Sequence, residues 1–170
     1  MSTRPGSRDL LEIKITKGRD GPAVLACMRP DGTSTWSRVS EYFPTHDMTH
    51  FVVETTLRVP SAFYSLVLDG WDIADFAAKG ASKTIPPQAN LVEALVGRLQ
   101  RDLMADTDYT AASYNDEVVA VLEGIGNTER RPVTEDELAS MRVRLRELLD
   151  RWVALAPGES LRLVFPRIEG

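Results

Sequence analysis

The chain has 170 residues, 43% hydrophobic and 26% charged, the balance of a folded protein rather than a disordered or membrane-spanning one. Acidic side chains outnumber basic ones 25 to 20, and the formal charge of -5 argues against nucleic acid and anionic membrane surfaces as partners. No apolar run approaches the ~18 residues of a spanning helix, and the polar stretch 1–8 lacks the centre of a secretion signal. A cytoplasmic protein is therefore expected, with one domain over 1–170 and a flexible tail at 1–8.

Leu11, Ile13 and Ile15 alternate with polar neighbours, which predicts a strand over 10–16. A second strand over 23–29 contains Cys27, the only cysteine, among Leu25, Ala26 and Met28, the setting of a small buried side chain rather than a reactive thiol. Pro30-Asp31-Gly32 turns the chain into a third strand over 33–39, in which Trp36 is expected to pack in the core or on the sheet face. These three strands read as an antiparallel meander.

Helical spacing follows. Pro44 or Thr45 can open a helix that runs to Leu57, and Val59-Pro60 stops it. A short helix begins at Ser61 and closes near Gly70. The stretch 81–88 reads as a flexible connection or a flap over a site. Pro86-Pro87 starts a longer helix with an apolar stripe of Leu91, Val92, Leu95, Val96, Leu99 and Leu103, which Gly97 either weakens or opens to a close neighbour.

After Ser113, Val118, Val119 and Leu122 mark a helix that ends at Gly124 to Gly126. Thr134-Glu135-Asp136-Glu137 has the spacing of a reciprocal cap, and Leu138, Met141, Leu145, Leu148 and Trp152 form the buried face behind it. Leu161, Leu163 and Phe165 then alternate in a last strand that returns to the sheet. The expected fold is α+β, a small antiparallel sheet of three N-terminal strands plus a C-terminal strand packed against about five helices. Arginines at 130, 131, 142, 144, 146 and 151 are interleaved with acids, as on a solvated helix face.

Both histidines lie in one phrase, His46-Asp47-Met48-Thr49-His50, followed by Glu54. On a helix, residues four apart share a face, so the two imidazoles can converge on one divalent ion, zinc being the best match to paired imidazole and carboxylate ligands. Eight helical residues rise about 12 Å, so Glu54 is better placed to orient His50 than to reach the ion beside His46. Asp69, in Leu68-Asp69-Gly70-Trp71-Asp72, is the expected third ligand, with Asp72 and Asp75 in reserve. Asp47 and Glu54 are the candidate proton acceptors if the site is catalytic.

The phrase His46-Asp47-x-x-His50 resembles the HDxxH zinc motif of a protein family required for ubiquinone biosynthesis, over five residues. That resemblance implies His46, Asp47 and His50 as ligand candidates, and Ala62 stands where that family has a glutamate. It also resembles a one-methylene-shorter form of the HExxH helix of zinc metallopeptidases, which implies Asp47 as the general base.

Two functions are therefore expected alternatives. One is a metal-dependent hydrolase or lyase acting on a small molecule. The other is a metal-free interaction protein, homodimeric through a helix face or a sheet edge.

Overall fold

The computed structural model describes residues 9–40 and 43–170, so the expected tail at 1–8 lies outside the described residues. Strands β1 (Leu10–Thr16), β2 (Ala23–Met28), β3 (Ser34–Val39) and β4 (Ser160–Pro166) form one antiparallel sheet in the order β3-β2-β1-β4. Ile13 stands opposite Cys27 on one side and Leu163 on the other. Because side chains alternate across a pleated strand, this register sends Leu11, Ile13, Ile15, Leu25, Cys27, Leu163 and Phe165 to a single buried face. Burial pushes the Cys27 thiol up to about 12, which leaves it protonated and inert.

Trp36 is not in the core. Thr35 and Val39 point inward, so the pleat carries Trp36 to the opposite face of the sheet, where it is 63% exposed. Parity along the strand outweighs the preference of a large ring for burial.

The helices are α1 (Phe43–Leu57), α2 (Phe63–Leu68), the single-turn α3 (Ala81–Thr84), α4 (Pro87–Ala105), α5 (Ala111–Gly124) and α6 (Glu135–Ala154), with a 3₁₀ turn over Ile73–Ala77. Residues 81–88 thus hold helical turns where a connection is expected. Among the described residues no helix is long and apolar enough to cross a membrane.

Helix α1 lies centrally, against β4 on one side and α4 and α6 on others, which explains why Met48, Val52 and Val53 are sealed together with polar Thr49, His50 and Glu54. The predicted capping box at α6 is present, with Thr134 Oγ1 accepting the Glu137 amide at 3.2 Å and Glu137 accepting the Thr134 amide at 3.0 Å. Arg131 clamps the same glutamate with two bonds of 2.7 Å.

Arg142 grips the buried Asp102 at 2.6 and 3.1 Å, tying α6 to α4. Arg29, buried in β2's exit, donates to the carbonyls of Val67 and Trp71 and to Asp72 at 3.1 Å. That guanidinium fastens the end of α2 and the 3₁₀ turn to the sheet, and these elements wall the site described next.

Candidate metal centre

His46 and His50 occupy consecutive turns of α1 and face α4, where Gln100 and Glu93 occur in reversed order, so the two helices run antiparallel here. Gln100 Oε1 lies 3.2 Å from His46 Nδ1. It can only accept, so it fixes the proton on Nδ1 and leaves the Nε2 lone pair of His46 free. The two Nε2 atoms are 3.1 Å apart. Glu93 closes the group, one oxygen 2.9 Å from His50 Nε2 and the other 3.6 Å from His46 Nε2.

Those separations are informative. Two donor atoms about 2.0–2.1 Å from a tetrahedral ion stand roughly 3.4 Å from each other. The ligand atoms of His46, His50 and Glu93 all lie within 4.8 Å of one another, so this group can hold a metal ion.

Behind the ring of His50 sits Glu54, fully buried, with Oε1 at 3.1 Å from Nδ1. Its other oxygen accepts the amides of Tyr64 at 3.0 Å and Ser65 at 3.4 Å, the first turn of α2, which has no side-chain cap of its own. One carboxylate therefore caps a helix and orients an imidazole. Burial raises the Glu54 carboxyl, opposed by the hydrogen bond and charge of His50 and by the two amides.

The electrostatics follow from this enclosure. Burial would hold His50 neutral, yet hydrogen bonds and charge from Glu54 and Glu93 outweigh it and raise the ring to about 10. The metal-free centre thus carries an imidazolium between two carboxylates, and an ion would take the place of its Nε2 proton. His46 is lowered, chiefly by burial and by the neighbouring His50 charge, with Glu93 and Gln100 opposing. Burial would raise Glu93, but the His50 contact prevails and lowers it.

Asp47 is also buried, at 4% exposure, and its Oδ2 finds no hydrogen-bond donor among the described residues. Burial pushes its carboxyl up to about 7, with the His50 charge opposing and Glu93 adding. The backbone carbonyl of Asp47 accepts the Tyr64 hydroxyl at 3.1 Å, which steadies this turn of α1.

Asp47, His46, His50 and Glu93 help line a cavity of about 530 Å³, whose other walls include Leu25, Arg38, Val39, Phe63, Phe76 and Ile85. The centre thus faces a largely apolar space. Glu54 is not part of that lining, being shielded by the ring it orients.

Asp69 lies elsewhere. It caps the end of α2, and its carboxylate accepts from Arg167 at 2.6 Å just past β4. Asp72 is bound by Arg29, and Asp75 closes a local capping box with Asp72. The carboxylate that joins the histidines is Glu93, which sequence reasoning missed. The usable signal was that Glu93 and Gln100, two turns apart, share one edge of the α4 apolar stripe.

Comparison with protein-family models, with curated protein sequences and with solved structures returned no match.

Proposed function

We propose that His46, His50 and Glu93 bind a divalent metal, zinc in the first instance, and that the cavity beside them receives a small molecule for hydrolysis. The observation that supports this best is the convergence of two imidazole Nε2 atoms and a carboxylate at separations of 2.9 to 3.6 Å, close enough for one ion to bind all three. The partner groups behind them, Gln100 and Glu54, set both ring tautomers for ligation.

A zinc ion held there supplies a Lewis acid that polarises a carbonyl oxygen and eases ionisation of water. The chain's own contribution is proton transfer and enclosure. Asp47, raised to about 7, is matched to accept a proton near neutrality. It takes the proton of the attacking water as the new C–O bond forms, and returns it to the leaving oxygen or nitrogen as the ester or amide bond breaks. Glu54 has no access to that proton and serves as the orienting group. Lysis of a small oxygenated substrate is supported by the same proton acceptor.

The test is hydrolysis of a nitrophenyl ester and a nitroanilide by zinc-loaded protein, compared with His50→Ala and Asp47→Asn. The expected result is zinc-dependent turnover that His50→Ala abolishes and Asp47→Asn lowers by about 10²- to 10⁴-fold. Turnover equal in all three proteins would remove the catalytic reading.

A second reading is favoured by one specific observation. Glu54, His50 and Glu93 satisfy one another as an ion triplet, so the same contacts serve a metal-free structural element in an interaction protein. Metal content separates the two.

A further inference from the structure

We infer that the cavity beside the centre takes a ligand with an apolar tail and a head group that presents an oxygen toward His46, His50 and Glu93 and an N–H or O–H to Asp47. An acyl amide or a hydroxamate has that chemistry. The head-group half of this inference rests on the proposed metal reading, whereas the tail half does not.

Three independent features meet here. The volume of about 530 Å³ falls in the range of small-molecule sites and far exceeds what a water cluster around an ion requires. Apart from Arg38, Ser37 and Ser40 at the end of β3, the walls beyond the centre are aliphatic and aromatic. Phe76 packs with tilted rings against Phe63 at 4.6 Å and Trp71 at 5.4 Å, and Arg29 fastens that segment to the sheet, so the wall is a built surface. Ile73, Phe76 and Ile85 are only half-buried. An apolar tail would complete their removal from water.

The third feature points to the head group. A buried carboxylate oxygen without a donor, such as Asp47 Oδ2, carries a desolvation cost that a hydrogen bond relieves. Because Asp47 lines the cavity next to both histidines, a ligand with a donor adjacent to its metal-binding oxygen can meet this carboxylate, whose Oδ2 is shut off from solvent in the free protein.

The inference is tested by calorimetric titration of octanohydroxamate and acetohydroxamate into zinc-loaded and metal-free protein, for the wild type, Phe76→Ala and Asp47→Asn. The longer acid adds about six methylenes, each worth about fourfold in affinity when removed from water, so octanohydroxamate should bind at least about 100-fold more tightly. That ratio should shrink about tenfold in Phe76→Ala, whose site is half-exposed and removed from the ligand cluster.

Asp47→Asn should weaken both hydroxamates while leaving the ratio intact. Equal affinity for the long and short acids in the wild type, or a ratio unchanged by Phe76→Ala, overturns the apolar-tail assignment whether or not zinc is bound. Hydroxamate affinity unaltered by Asp47→Asn overturns the donor assignment. A chain-length ratio that persists while zinc makes no difference to either acid leaves the cavity assignment standing and removes the metal reading.

Discussion

His50 and Glu93, on two different helices, meet at 2.9 Å across the α1–α4 interface, and the same carboxylate spans toward His46 with its second oxygen. This contact turns a pair of histidines on one helix into a three-ligand cluster. It also makes the cluster depend on how α4 packs, since Gln100, two turns further along α4, fixes the ring of His46.

Glu93→Gln separates ligation from folding. The Glu93 side chain is about half-exposed, so its loss should leave the melting temperature within about 2–4 °C of the wild type while weakening zinc by at least ~100-fold. Competition against a chromophoric chelator reads the affinity, and circular dichroism reads the stability. Unchanged zinc affinity would remove Glu93 from the ligand set.

Glu54→Gln should behave differently, because that residue serves two partners from a site with no exposure. Disturbing the bond to His50 should cost zinc affinity about 10- to 100-fold. Disturbing the buried acceptor at the start of α2 should cost about 1–3 kcal/mol of stability. Chemical denaturation of the metal-free protein measures this cost together with that of the weakened His50 pair, apart from any effect on zinc.

Gly97 tests the packing of α4. A Cβ built there meets nothing within 4 Å, so no neighbour approaches closely and the residue simply weakens an exposed helix position. Gly97→Ala should stabilise the protein by about 1 kcal/mol, seen as a higher urea midpoint at constant slope. A loss of stability would contradict the α4 placement.

Acid sensitivity should trace partly to Asp102. Burial would raise its carboxyl, but the Arg142 hydrogen bonds, the Tyr109 amide and the Thr107 hydroxyl outweigh that and lower it in the folded state. A carboxyl lowered by folding contributes stability that is whole above the unfolded value of about 4, and that is lost as pH falls through the lower folded value. Asp102→Asn should therefore cost about 2 kcal/mol near neutrality and show a flatter decline than the wild type below about pH 4. Parallel acid curves for the two proteins would contradict this.

Much of the fold was legible because it rests on local periodicity. Strand β1 occupies the predicted residues 10–16, and the Thr134 cap of α6 stands where its spacing placed it. Of the two places expected for Trp36, core or sheet face, strand parity set by Thr35 and Val39 selects the outer sheet face.

The site was half legible. His46 and His50 announce themselves because both lie on one helix, whereas Glu93 belongs to a helix distant in the chain, where an isolated glutamate reads as solvated. Asp69 was attractive through nearness in sequence, yet α2 turns its end toward β4, where Arg167 holds it. The second role of Glu54, capping α2, depends on a tertiary contact that no periodicity encodes.

The central claim is that His46, His50 and Glu93 bind a metal ion, and elemental analysis of untagged protein tests it most directly, beside a His46→Ala, His50→Ala double variant. The account predicts close to one equivalent of zinc per wild-type chain and none in the variant. Equal and negligible metal in both proteins after exposure to zinc would contradict it.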